Sequence, residues 1–336
     1  MSLTRELAKK NSLIRKFFAE HELKSGLHDC LKLLQSDTPL ILPETPHSSA
    51  IVYAWIGTTV DYLIRYTANG NKLNIAATIA AEVVQRYKLK PKSYLNQPHV
   101  YHSQNLFKIG KKGLDGRNGA SQTAIYAATA LSILDHSYRA FRLPEVFETE
   151  LIPGFTPEQK EIIRATEGKT LKEKTTNYLI GEFVTQLGGH QYLNDLSKII
   201  QIFIDEKNNR NSALYQSEFI VFNQALKNSI YVGGADFDCV IKVGEYIVLT
   251  EIKTSIKKIT TLHLYQLISY ALLLDEKNDG FEMNSIGFYH SRSGSFRYLP
   301  IDIVIDAVLP GFRSLEQLRE YFLRRITPEY LKNPIA

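Results

Sequence analysis

Apolar residues recur about every 3.6 positions over residues 3–35, where Leu3, Leu7, Leu13, Phe17 and Phe18 fall on shared faces and predict helices. Residues 36–48 (SDTPLILPETPHS) carry three prolines and predict a connecting loop. A helix follows over roughly 50–68. From 71 to 210 the pattern stays mostly helical, in segments such as TIAAEVVQRYKL, SQTAIYAATALSILDHSYRAF, PEQKEIIRAT and QYLNDLSKIIQIFIDEK. LNQPHVYHSQN and GKKGLDGRNG read as loops between them. After about 212 the period changes to two. FIVFNQAL, YVGGADFDCVIKV and EYIVLTEIKT predict three strands, the last two joined by a turn at Val243-Gly244-Glu245. TLHLYQLISYALLLDE is a periodic helix, SIGFYHSR and SFRYLPIDIV predict a hairpin around Ser293-Gly294-Ser295, and SLEQLREYFLRRI closes on an amphipathic helix. The order of elements predicts an α/β fold with a large helical insertion.

Composition narrows the class. The chain has 336 residues, 44% hydrophobic and 22% charged, which is ordinary globular usage. Its net charge of +5 permits a polyanionic partner without demanding one. Two cysteines, Cys30 and Cys239, are too few for a disulfide-dense secreted scaffold or a four-cysteine zinc site. The opening residues lack the apolar core of a signal peptide, and no stretch reaches the ~18 apolar residues of a membrane span. A cytoplasmic protein with no membrane partner is the expectation.

The chemistry concentrates in residues 231–270. Asp236 and Asp238 are two apart, so on a strand they share a face, opposite Phe237 and Cys239. Glu251 and Lys253 share a face in the next strand, with Ile252 turned away. A short turn makes the two strands antiparallel neighbours, so three carboxylates and one ammonium gather on a small area. Crowded carboxylates repel, and one would be driven to protonate unless a cation joined them. Mg²⁺ takes hard oxygen ligands, polarises phosphate oxygens and lowers the pKa of a bound water. Lys253 can orient that water or neutralise charge on the phosphate. On the following helix Gln266 and Tyr270 are four apart and share a face. Lys257 and Lys258 precede that helix, within reach of a phosphate backbone.

Asp238, Glu251-Ile252-Lys253 and Gln266-Leu267-Ile268-Ser269-Tyr270 together resemble the PD-(D/E)XK nuclease superfamily, in its RecB-type exonuclease-like branch. The resemblance implies a restriction-endonuclease-like mixed sheet flanked by helices. It implies a Mg²⁺-dependent deoxyribonuclease, with Mn²⁺ able to substitute. Catalytic roles would fall to Asp238, Glu251, Lys253, Gln266 and Tyr270. Metal would be held by Asp238, Glu251 and the Ile252 carbonyl, with Asp236 as an alternative, because Gly233-Gly234-Ala235-Asp236 also fits the motif's glycine spacing. Gly57-Thr58-Thr59-Val60-Asp61 resembles an upstream helical motif of the branch, with Asp61 where a metal-binding His usually stands. Glu218 is a weaker acidic candidate before the first strand. On this reading residues 1–49 form an N-terminal helical segment, 50–70 and 211–336 form the nuclease core, and 71–210 are an inserted subdomain that could engage a protein partner. Such nucleases resemble components of repair, restriction or anti-phage systems. The same chemistry on RNA, or a catalytically silent binding module on the same fold, are the alternatives.

Plainer readings stand beside these. An E-x-K pair alone is an ordinary strand face. Asp61 can instead pair with Arg65 at i,i+4, and Asp236 can be a solvated turn-side carboxylate. His99 and His102 read as surface-loop residues. His263 opens the site helix and reads as a polar first-turn residue, although it could touch substrate. GKKGLDGRNG lacks P-loop spacing and reads as a solvated basic turn.

Overall fold

The structure is a computed structural model that describes residues 3–43, 47, 49–74, 78–88, 98–114, 119–140, 142–147, 155–166, 168 and 170–332. The chain divides into two compact units, Met1–Leu40 with Asp205–Ala336, and Ile41–Ile204. Helices α1 (Leu3–Ala8), α2 (Leu13–His21) and α3 (Lys24–Leu34) open the chain. The second unit is helical, with α4 (Ala50–Ala68), α5 (Ile79–Lys88), α6 (Pro98–Gly113), α7 (Gln122–Ala140), α8 (Pro157–Ala165), α9 (Leu171–Gln186) and most of α10 (His190–Asn208). Capping boxes start α8, through Thr156 and Gln159, and α9, through Thr170 and Glu173. Each satisfies backbone N–H groups that a helix leaves without partners.

The first unit carries the sheet. Its strands are β1 (Glu218–Phe222), β2 (Cys239–Val243), β3 (Tyr246–Lys253), β4 (Ser285–His290) and β5 (Ser295–Pro300), in the spatial order β1-β2-β3-β4-β5. Only β3 and β4 run parallel; the other neighbours are antiparallel. A parallel pair needs a long crossover, and α11 (Thr261–Leu273), followed by the short α12 (Glu276–Asp279), supplies it. The unit ends with α13 (Ile301–Val308) and α14 (Leu315–Lys332). This is a mixed α/β fold, a five-stranded mixed sheet flanked by helices. Every residue of β4 is buried, as a strand covered on both faces requires.

The compact units group the chain differently from the sequence-based division. Helices α1–α3 belong with the sheet, because Leu3, Leu7, Phe17, Phe18 and Leu34 share one apolar cluster with Leu249, Leu267 and Phe322. Helix α4 belongs with the helical unit, where Thr59 donates to Ser132 of α7 at 3.1 Å and Thr58 bonds His136 at 3.0 Å.

Four local readings need correction. The segment expected to be a loop around His99 and His102 is the start of α6, with Pro98 at its first position, where a missing N–H costs nothing. His102 is fully buried, its ring nitrogens bonded to Tyr101 at 2.8 Å and Thr176 at 3.0 Å. The expected hairpin strand through Val304 stops at Pro300, and α13 takes over with Val304 and Ile305 buried. Asp236 and Asp238 precede β2 rather than lie in it. In GKKGLDGRNG, Gly110 and Gly113 are the end of α6, not a solvated turn, while 115–118 lie outside the described residues. A methyl on Gly110 would sit 2.3 Å from Leu131 of α7, and one on Gly113 would sit 2.4 Å from Ala127. These glycines let two helices approach closely.

Burial pushes the His102 imidazole down to about 3. An unfolded histidine titrates near 6.5, so below that pH the unfolded chain binds the extra proton and the folded one does not. Stability of the helical unit is therefore expected to fall as pH drops from about 6.5 toward 3. Thermal denaturation between pH 7 and 4 should show a shallower fall for His102→Asn than for the parent; equal slopes would count against this assignment.

Candidate active site

The site is built on the carboxyl end of β3. Glu251 and Lys253 alternate with Ile252, and Leu249, two residues before Glu251, lies in the apolar cluster shared with α11. That parity turns the Glu251 side chain toward α11, where only a polar helix residue can meet it. Gln266 does so: its Nε2 donates to Glu251 Oε1 at 2.7 Å and to Tyr270 Oη at 2.7 Å. Because Tyr270 Oη accepts from Gln266, its own proton remains available for donation. Burial and the Glu251 carboxylate hold the Tyr270 phenol well above its usual range, with smaller contributions from Asp238 and Asp236, so it stays protonated.

Lys253 Nζ lies 3.3 Å from Glu251 Oε1 and 5.9 Å from the Phe288 ring centroid. Glu251 Oε1 thus receives two donors. Its Oε2 is buried and has no hydrogen-bond partner among the described residues. Glu251 as a whole is only 6% exposed. A buried carboxylate oxygen left without a donor is costly, and such atoms call for an explanation.

Asp238 comes to the same place by register. Cys239 pairs with Thr250, so Asp238 stands at the position before β2 that faces Glu251. Its Oδ2 accepts from the Ile252 N–H at 2.7 Å. This carboxylate substitutes for a backbone acceptor where β2 has not yet begun, and it fixes the backbone between Glu251 and Lys253. Asp236 is half-buried in an isolated bridge with Ala225, and its charge reaches Tyr270.

Lys257 and Lys258 are exposed in the loop between β3 and α11. The loop is anchored where the Ile259 N–H donates to Gln35 Oε1 at 3.1 Å. Glu218 is exposed and pairs with Lys242, at the end of β1 away from Asp238. Asp61 lies on α4, where Arg65 bonds both of its carboxylate oxygens, at 3.0 Å to Oδ1 and in a closer contact to Oδ2. The i,i+4 pair weighed from the sequence is therefore present. Removing Asp61 would leave the buried Arg65 short of its counter-ion.

Among the described residues no three His, Cys, Asp or Glu side chains form a ready-made metal cluster. Mg²⁺ commonly takes one or two carboxylates and keeps several waters, so the Asp238–Glu251 pair with a backbone carbonyl is a donor set of the right kind. Cys30 and Cys239 are both buried, and neither forms a disulfide among the described residues. No described helix is long and apolar enough to cross a membrane. No protein-family model matches the chain, and no curated protein matches it as a relative.

Proposed function

We propose that the sheet unit is a divalent-metal-dependent nuclease of the PD-(D/E)XK type, with a restriction-endonuclease-like fold, hydrolysing phosphodiester bonds in DNA. The observation that carries this reading is the orphaned Glu251 Oε2, buried on a carboxylate whose other oxygen is held by Gln266 and Lys253. Asp238, Glu251 and the Ile252 carbonyl would hold Mg²⁺ or Mn²⁺, with Asp236 the next nearest acidic group in sequence. Bound there, a divalent cation supplies phosphate polarisation and a more acidic water.

The remaining work belongs to the chain. Gln266 fixes the Glu251 carboxylate so that Oε2, and not Oε1, is left open. Asp238 fixes the strand backbone through Ile252. Lys253 presents an ammonium beside the Glu251 carboxylate, placed to hold the attacking water and to offset charge that builds on the phosphate. Tyr270 supplies a proton-bearing hydroxyl that does not ionise near neutral pH. Lys257 and Lys258 offer exposed charges to neighbouring backbone phosphates. The choice of DNA, and a setting in repair, restriction or anti-phage defence, rest on the motif resemblance. A protein partner for residues 71–210 rests on their being an insertion in that family pattern.

The purified chain should cut DNA with Mg²⁺ or Mn²⁺ and stop when EDTA removes the metal. Single-stranded, double-stranded and RNA substrates belong in the same assay. Cutting of RNA alone would move the activity to RNA. Cutting that persists in EDTA would refute the metal-dependent reading. Binding of nucleic acid without cutting in either metal would favour the silent module.

A further inference from the structure

The rim of the site holds one more side chain whose hydrogen bonding is set by the fold. His263, Gln266 and Tyr270 stand at i, i+3 and i+7 on α11, so they share one helix face. Gln266 donates to both Glu251 and Tyr270. His263 lies one turn nearer the helix N-terminus, close enough to Lys253 to feel its charge. The Thr260 N–H donates to His263 Nδ1 at 3.0 Å. Nδ1 is therefore the ring's acceptor, and the single proton of the neutral imidazole sits on Nε2. Burial, with a smaller contribution from Lys253, pushes this histidine down to about 4, so the ring stays neutral across ordinary pH.

The capping-box position it occupies is normally filled by Glu or Gln. Either would satisfy the Thr260 N–H. Glu would also set a carboxylate beside Lys253, where an incoming phosphate needs the ammonium. His caps with one nitrogen and keeps an N–H on the other, without adding negative charge.

We propose that His263 is a phosphate-binding residue of this site, donating its Nε2–H to a non-bridging oxygen of the DNA phosphate that lies against Lys253. The proposal rests on the nuclease reading and adds a substrate contact to it. It separates what the side chain does for the helix from what it does for the substrate, and three variants read the two apart. His263→Gln keeps a cap acceptor and a donor. His263→Glu keeps the cap and loses the donor. His263→Leu loses both without adding charge.

The experiment measures thermal stability, kcat and KM for DNA cleavage with Mg²⁺, and binding of a short DNA duplex with Ca²⁺ in place of Mg²⁺. Stability should follow the cap, with Glu and Gln above Leu. DNA binding and kcat/KM should follow the donor: Gln within about threefold of the parent, Glu and Leu lower by roughly ten- to a hundredfold, the range of a hydrogen bond to a charged acceptor. A Leu variant that binds and cuts like the parent overturns the proposal. So does a Gln variant as impaired as Leu, or activity that simply tracks stability. If the parent cuts nothing with Mg²⁺ or with Mn²⁺, the nuclease reading fails and the duplex-binding series decides alone. The order Gln above Leu then keeps the phosphate contact, and equal binding, or none by the parent, removes it.

Discussion

Lys253→Ala is expected to lower DNA cleavage by about a hundred- to a thousandfold, the usual cost of removing a charge-stabilising donor from an active site, while the protein stays folded. The fold should survive because Glu251 Oε1 keeps its 2.7 Å bond from Gln266 when the ammonium is gone. The Lys253 Nζ also lies 5.9 Å from the Phe288 ring centroid, so Lys253→Met is the cleaner companion, keeping an apolar side chain of similar length and losing the charge. Both variants should show the same loss in kcat with unfolding transitions close to the parent's. Lys253→Arg is not expected to rescue fully, since a planar fork does not reproduce a compact ammonium. Undiminished cutting by either Ala or Met would reject Lys253 as part of the chemistry.

The second large effect is expected at Glu251. Glu251→Gln preserves shape but removes the charge and alters the buried oxygen that has no partner. Cleavage should fall at least a hundredfold, comparable to loss of an electrostatic group that acts in the transition state. A separate readout needs no substrate. In the parent, Mn²⁺ at about a hundred times its Kd should stabilise the native state by about 2.7 kcal/mol, a rise of a few degrees in Tm. The variant should show little or no rise. Equal metal-induced stabilisation in both proteins would place the ion elsewhere.

Legibility in the sequence followed from how local each signal was. Glu251 with Lys253, and Gln266 with Tyr270, follow from the periods of a strand and a helix, because each pair lies within one regular element. Their mutual contact is set by the fold, through the crossover that the parallel β3–β4 pair requires, and was not read from the sequence. Asp238 was legible as a candidate, but its role was not. The bond it accepts from Ile252 depends on β2 starting just after Asp238, at Cys239, which no two-residue periodicity reveals. The open oxygen on Glu251 is a property of three-dimensional packing and leaves no trace in the chain. Elsewhere, proline and glycine misled when read as loop signals: Pro98 begins α6, and Gly110 and Gly113 seat α6 against α7. Pro300 was passed over as a stop, and it ends β5 just before α13. Each residue type is common in loops, and only tertiary context shows which of its other uses applies. The grouping of α1–α3 with the sheet was hidden because their apolar faces give no sign of what they will cover.

The most direct test is anomalous diffraction from crystals of the Mn²⁺-soaked protein with a short DNA duplex. The account predicts an anomalous peak in contact with Glu251 Oε2 and Asp238, with the Lys253 ammonium and a DNA phosphate beside it. A peak that touches neither carboxylate, or a duplex phosphate bound away from Lys253, would contradict it.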